Sequence, residues 1–266
     1  MKTVKIQGGL GNQLFGLAFA HSIATLTAER VRLDIGGFGR DRYGHRFMLG
    51  DLTARLGLDI TRHPLLSSRL VGTAMGALPS GLWTRERPGP DTPEALEALA
   101  RRGAYFDGYW QSEAYIARPE AIRAVVRQFL EARTGPPARH SLVIHCRTYA
   151  DEVRSDRRGA PGADYFRRAV GAVEAAAAAI HDIALVSDRP SIAMERLGAL
   201  ASRVTPIGGA DAFGDIALML AGDSLILGNS SFSWWGGFCG DANMVIYPRR
   251  GDFHHYPAPA SRFTVI

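Results

Sequence analysis

Between residues 142 and 247 the chain repeats one pattern: a short run of β-branched or aliphatic residues, a polar turn, then a longer stretch of helical character. The apolar runs are Leu142-Val143-Ile144, Ile183-Ala184-Leu185-Val186, Val204-Thr205-Pro206-Ile207, Leu225-Ile226-Leu227 and Val245-Ile246-Tyr247. Helical patterns lie between them at 165–180, 191–200, 212–221 and 232–239. Short apolar runs bounded by turn residues read as buried strands, and connections of this length return a chain to a parallel neighbour. The alternation therefore predicts a doubly wound α/β sheet. Pro206 has no N–H for a ladder, which places the third run at a sheet edge or strand end.

The first half has the same character with longer irregular stretches. A strand is expected at 3–7, a helix from about 13 to 27, a strand at 31–35 and a Gly/Arg-rich segment at 36–46. A helical pattern over 93–102 leads into Tyr105-Phe106-Asp107-Gly108-Tyr109-Trp110. The run Arg133-Thr134-Gly135-Pro136-Pro137 stops a helix and makes a stiff linker, so two α/β lobes are expected, 1–135 and 136–266. With 266 residues, 46% of them hydrophobic, there is enough apolar material for a sizeable core and no room for a long stalk. No internal repeat is visible, and 175–179 is a strongly helix-forming alanine run.

Several classes of function fall away. No run of about 18 apolar residues occurs, and Val4-Lys5-Ile6 follows no apolar block, so neither a membrane span nor a secretion signal is expected. The two cysteines, Cys146 and Cys239, sit among apolar neighbours as small core residues do. That excludes a disulfide scaffold and points to a reducing, cytoplasmic setting, with peripheral association at the inner face of a membrane left open. The net charge of +5 is dominated by arginine and suits an anionic ligand such as a nucleotide. No basic tail, aromatic-basic stripe or zinc spacing supports nucleic-acid binding. There is no Asp-x-Asp, and His254-His255 lies in a Pro-rich stretch without a carboxylate ligand set, so no metal is expected. A Gly-x-Ser-x-Gly elbow and a phosphate loop ending in Lys-Ser/Thr are both absent.

Four turns, each at the end of an expected strand, could carry chemistry. Gly8-Gly9-Leu10-Gly11-Asn12-Gln13 opens a helix, where glycines let a phosphate approach free N–H groups. It resembles a dinucleotide fingerprint with Leu14 in place of the third glycine, and Asp34 follows about 20 residues on, as a ribose ligand would. A tight turn without a ligand gives the same pattern. His145 and Arg147, two apart on an extended segment, share a face at the end of the 142–144 run. They are either pocket residues or a core-capping histidine beside a surface arginine. Asp188, in Val186-Ser187-Asp188-Arg189-Pro190, either caps the next helix or contacts a base. In Gly228-Asn229-Ser230-Ser231-Phe232-Ser233-Trp234-Trp235 the hydroxyls open a helix as an anion cradle does, while the tryptophans read as packing.

Together, Gly8-Gly9-Leu10-Gly11-Asn12-Gln13-Leu14-Phe15 with Ala18-Phe19-Ala20, Gly108-Tyr109-Trp110-Gln111-Ser112-Glu113 and Asn229-Ser230-Ser231-Phe232-Ser233-Trp234-Trp235-Gly236 resemble the α1,2-fucosyltransferase family, in matching order from near the N-terminus to about residue 248. The resemblance implies a glycosyltransferase-B fold of two facing Rossmann-like lobes with mostly parallel sheets. It also implies an inverting, metal-independent transfer of L-fucose, or a related 6-deoxy sugar, from its GDP-sugar to a glycan acceptor. On that likeness His145 contacts the guanine-ribose side, Arg147 the β-phosphate and Asp188 the guanine. Ser230, Ser231 and Phe232 line the diphosphate and sugar, while Gly9, Gly11 and Asn12 come from the other lobe. No cofactor is implied beyond the donor substrate.

One stretch departs from the family pattern. Where the family reads His-x-Arg-Arg-Gly-Asp-Tyr, this chain reads His145-Cys146-Arg147-Thr148-Tyr149-Ala150-Asp151-Glu152. Arg154, Arg157 and Arg158 lie close enough to replace the missing charge. The acceptor hydroxyl must lose a proton, and Glu152 or Asp151 is the carboxylate nearest the donor loop in sequence; Asp34 and Glu113 are the fallback bases. A catalytically silent GDP-sugar or glycan-binding protein, suggested by the altered arginine loop, and a nicotinamide-dependent oxidoreductase, suggested by the glycine turn and Asp34, are the alternatives.

Overall fold

The computed structural model describes residues 1–39, 44–63, 82–86, 89–90, 92–148, 160–176, 180–208, 211–249 and 257–266. They form two compact units, Met1–Ile122 and Arg123–Ile266. The first contains β1 (Lys2–Lys5), α1 (Leu10–Thr27), β2 (Val31–Asp34), α2 (Gly50–Arg55), β3 (Asp59–Thr61), β4 (Trp83–Arg85), α3 (Pro93–Arg102) and β5 (Tyr105–Asp107). A 3-10 turn at Glu113–Tyr115 follows. The sheet order is β3-β2-β1-β5-β4, and every neighbouring pair is parallel.

Helix α1 is apolar on nearly all sides because it is enclosed. Leu14, Leu17, Ala18, Phe19 and Ala20 are fully buried, as expected of a helix with no polar face. Gly16 lets it lie close to β1, since a Cβ there would stand 2.7 Å from Ile6 Cδ1. Helix α3 is instead amphipathic and conventionally bounded. Thr92 accepts the Ala95 N–H, Pro93 begins the helix, and Arg101 and Arg102 occupy its last turn.

Helix α4 (Pro119–Thr134) crosses the division between the units, ahead of the Gly135-Pro136-Pro137 run. Past Ile122 it buries Val126, Phe129 and Leu130, and Arg123 and Arg127 both pair with Asp241. The second unit continues with β6 (Leu142–His145), α5 (Ala163–Ala176), β7 (Ile183–Val186), α6 (Pro190–Leu197), a 3-10 segment (Gly198–Arg203) and β8 (Thr205–Pro206). It closes with α7 (Ala212–Leu220), β9 (Ser224–Ile226), α8 (Ser231–Cys239), β10 (Met244–Tyr247) and β11 (Thr264–Val265).

Its sheet order is β11-β10-β9-β6-β7-β8, again parallel throughout. Strands β6 and β7 are buried at every position, as crossover helices on both faces require. The strand containing Pro206 is indeed the sheet edge. No helix among the described residues is long and apolar enough to cross a membrane.

Candidate functional site

The order of the second sheet reverses between β6 and β9, which are direct neighbours through Val143 with Leu225 and Ile144 with Ile226. Chains leaving two such strands depart to opposite faces, so a crevice opens beyond their C-terminal ends. β6 delivers His145, Cys146, Arg147 and Thr148 to that edge, and β9 delivers Leu227, Gly228, Asn229 and Ser230. The two turns touch: the Gly228 N–H donates to the His145 carbonyl at 2.9 Å. A Cβ at Gly228 would stand 3.1 Å from that carbonyl oxygen, so glycine is what lets them meet.

The β9–α8 turn is fixed from several sides. Ser230 is the N-cap, its Oγ accepting the Phe232 N–H at 3.2 Å. Ser233 Oγ bonds back to the carbonyls of Gly228 and Ser230 at 3.2 and 3.3 Å. The buried Tyr165 hydroxyl donates to the Leu227 carbonyl at 2.7 Å. Behind the cap, Trp234 and Trp235 are fully buried, and Trp234 Nε1 donates to the Ala258 carbonyl at 2.8 Å. The indoles therefore pack, as expected. Gly236 and Gly237 bring α8 close to its neighbours: Cβ atoms there would stand 2.8 Å from Met219 Cβ and 2.7 Å from Leu227 Cδ1. Ser231 and Phe232 remain half-buried at the positive end of the helix dipole, with no acidic residue in the first turn.

His145 is 3% exposed, and its ring centre lies 5.8 Å from that of Phe232. Burial, then the Arg147 guanidinium, pushes its pKa down to about 3 against the opposing pull of Asp188. The imidazole is therefore neutral at physiological pH. Its Nδ1 has no hydrogen-bond partner among the described residues and lies 3.8 Å from where a Gly228 Cβ would stand. A ring nitrogen is thus directed at the β9–α8 turn. Burial likewise raises the Cys146 thiol to about 12, so this cysteine is a core residue rather than a nucleophile.

Arg147 follows β6 with its side chain 42% exposed and Nη1 3.4 Å from Asp188 Oδ2. The other oxygen, Asp188 Oδ1, accepts the Thr148 N–H at 2.9 Å and is 3.1 Å from Thr148 Oγ1. Asp188 does not cap α6, whose N-cap is Arg189 without a side-chain bond. The neighbouring Ser187 Oγ instead donates to the Cys146 carbonyl at 2.7 Å and accepts the Arg189 N–H at 3.2 Å. Asp151, Glu152, Arg154, Arg157, Arg158 and the His254-His255 pair lie outside the described residues. Among the described residues, no group of three His, Cys, Asp or Glu side chains is arranged to hold a metal.

The first unit has its own turn at the end of β1. Gly8 takes φ +78°, and Gly9 is the N-cap of α1 without a side-chain bond, followed by Leu10, Gly11 and Asn12. The fully buried Gln13 braces the turn, donating to the carbonyls of Gly8 and Arg46 and accepting the Met48 N–H. Asn12 Oδ1 accepts from Gln111 Nε2 at 2.6 Å. Gln111 follows Trp110, which sits at φ +57° and stacks on Phe19 at 4.0 Å.

Asp34 differs from its expected role as ribose ligand or fallback base. It is completely buried; Oδ1 accepts the N–H groups of Gly36 and His63, each at 2.9 Å, and Oδ2 accepts the Tyr105 hydroxyl at 2.7 Å. Its carboxylate is a structural junction between strand ends. Glu113 is half-buried in the 3-10 turn.

Of the expected residues, the second unit places His145 and Arg147 at the C-terminal end of β6, Asp188 after β7, and Ser230, Ser231 and Phe232 after β9, while Gly9, Gly11 and Asn12 cluster at the β1 turn of the first. Thr148, Ser187, Gly228, Ser233 and Tyr165 were not singled out for the roles they play here. Only Gly228, a glycine directly after a strand, carried a visible signal.

The chain is similar to solved structures of NodZ. It matches the α1,6-fucosyltransferase soaked with GDP-fucose at a TM-score of 0.50 and 16% identity, over 96% of this chain and 97% of that one. It matches selenomethionine NodZ from Bradyrhizobium at 0.51 and 15%, over the same shares. A structure of POFUT1 with GDP aligns at 0.46 and 11%, over 92% and 98%. The fold is of the glycosyltransferase-B type. No family model and no curated protein sequence matches the chain.

Proposed function

We propose that the chain is a metal-independent, inverting glycosyltransferase that moves L-fucose, or a related 6-deoxy sugar, from its GDP-sugar to a hydroxyl of a glycan, forming an α1,2 linkage. The observation that carries this reading is the β6–β9 crevice, where a solvent-accessible arginine, a neutral buried histidine and a serine-capped helix N-terminus converge. The shared fold supports it, as do the motifs of the glycine turn, the Gly108–Glu113 stretch and the β9–α8 turn.

As the donor's glycosidic bond breaks, the departing GDP gains negative charge. Arg147 and the first-turn N–H groups of α8 stabilise that charge more in the transition state than before, which is what lowers the barrier. His145, uncharged, offers a ring nitrogen to the nucleoside side without adding a second cation. Ser230, Ser231 and Phe232 line the diphosphate and sugar. Glu152, or Asp151, takes the proton of the acceptor hydroxyl as its oxygen attacks the anomeric carbon from the face opposite GDP. The glycan acceptor lies mainly on the first unit, and the work is cytoplasmic.

A second reading, a silent GDP-sugar or glycan binder of the same fold, is favoured by Thr148 standing where the family motif carries its second arginine. Incubation with a panel of GDP-sugars and oligosaccharide acceptors in chelator, with product analysis, tests the proposal. Fucosylated product with an inverted anomeric centre supports transfer. Binding of GDP-fucose without product across the panel supports the silent reading, and a requirement for divalent metal overturns the mechanism.

A further inference from the structure

In the first unit a carboxylate at the end of β4 reaches across to the turn that follows β5. Glu86 leaves β4 with its N–H donating to the Asp107 carbonyl at 3.1 Å. Its side chain then accepts two N–H groups, that of Tyr109 on Oε2 at 2.6 Å and that of Gln111 on Oε1 at 3.2 Å. These residues flank Trp110, whose φ of +57° a non-glycine residue rarely adopts, so the carboxylate holds the turn on both sides of its strained position. Gly108 makes room for it, since a Cβ there would stand 2.4 Å from Glu86 Cβ. The turn so fixed brings Gln111 to the β1 turn, where its Nε2 donates to Asn12 Oδ1 at 2.6 Å. Gln7 ties the same two turns through the Gly108 carbonyl at 3.4 Å. With its oxygen taken, the Asn12 carboxamide keeps its NH2 group over Gly8, 2.6 Å from where a Cβ would stand, and among the described residues that group makes no hydrogen bond.

We propose that Glu86 and Gln111 are positioning residues: Glu86 fixes the turn at 109–111, and Gln111 turns the Asn12 carboxamide so that its NH2 group meets an oxygen of the bound substrate. The proposal rests on the transferase reading above. That oxygen belongs to the sugar nucleotide or to a hydroxyl of the glycan, since an amide N–H serves either. A carboxamide can present its oxygen or its NH2 group, nearly equal in shape and opposite in polarity, and Gln111 chooses between them by donating to one. An amide already turned gives up less freedom when the substrate arrives.

Steady-state transfer with GDP-fucose and the panel oligosaccharide that the wild type fucosylates best gives kcat and a KM for each substrate. Gln111→Glu keeps the shape but removes the donor, so the Asn12 amide turns its NH2 group inward. The KM of one substrate should then rise about tenfold, with kcat within about twofold. GDP-fucose is that substrate if the oxygen belongs to the sugar nucleotide, the oligosaccharide if it is a glycan hydroxyl. Gln111→Met, which lets the amide turn either way, should raise the same KM only about threefold. Glu86→Gln, which sets an NH2 group against one of the two N–H groups, should raise it by about the same factor. In the Asn12→Ala background none of the three should cost anything further, because their effect passes through the amide. Equal rises in both KM values, a smaller effect of Gln111→Glu than of Gln111→Met, or costs that persist without the Asn12 amide overturn the inference. Absence of transfer by the wild type overturns the transferase reading itself, and is seen before any variant is made.

Discussion

His145 should make the protein acid-sensitive in a way that one substitution removes. Its folded-state pKa lies near 3, lowered chiefly by burial, against 6.5 for an exposed histidine. Above about pH 6.5 neither the folded nor the unfolded chain carries this proton, and the residue contributes no pH dependence. Below that, the unfolded chain binds the proton and the folded chain does not, so stability falls progressively until the pH reaches about 3. At about pH 5 the unfolded state is favoured by roughly 1.5 pH units of unshared protonation, about 2 kcal/mol.

Urea unfolding of the wild type and of His145→Gln at about pH 7 and about pH 5 measures the difference directly. Arg147 and Asp188, the charged groups facing the ring, are present in both proteins. The variant's own loss of packing cancels when each protein is compared with itself. The wild type should lose about 2 kcal/mol more than His145→Gln between the two pH values. Equal losses would mean that the imidazole takes up its proton inside the fold, and that the neutral, desolvated site described here is wrong.

Gly228→Ala should destabilise the second unit by about 1–3 kcal/mol in denaturant unfolding, because its Cβ meets a carbonyl already committed to the turn; an unchanged midpoint would show that the β6 and β9 turns can separate freely. Tyr105→Phe should cost about 1.5–3 kcal/mol by leaving the buried Asp34 carboxylate short of a donor, and a neutral result would return Asp34 to consideration as a ligand residue. Glu152→Gln and Asp151→Asn, assayed separately, should differ: the true base loses about 10²–10⁴ in turnover with GDP affinity nearly intact. Normal transfer by both would place the base elsewhere, with Glu113 the remaining fallback.

The second unit was the more legible because its central strands β6, β7, β9 and β10 are short, buried and separated by helices of ordinary length, so each of those apolar runs announced itself. Even the weakest strand was marked correctly by Pro206. In the first unit β3 and β4 escaped notice. Each has only three residues, and Ile60 is nearly half exposed, so neither run has the apolar continuity of a buried strand. β11, two exposed residues, had no pattern to offer.

At the site, the residues that announce themselves are those just past the strands: His145, Arg147, Asp188, Ser230. Sequence spacing does not reveal which residue holds which. Asp188 reads equally well as a helix cap, and only the proximity of the β6 and β7 ends turns it toward Thr148. Asp34 sits at the spacing of a ribose ligand, yet Tyr105, 71 residues away, consumes its second oxygen. Partners at that separation leave no local trace.

If the crevice between β6 and β9 holds the diphosphate, a crystal structure of the protein grown with GDP in chelator shows it most directly. The β-phosphate should lie within hydrogen-bond reach of Arg147 and of the first-turn N–H groups of α8, with no metal beside it. A diphosphate seated only on the Gly8–Asn12 turn of the first unit, with the β6–β9 crevice empty, would contradict that placement.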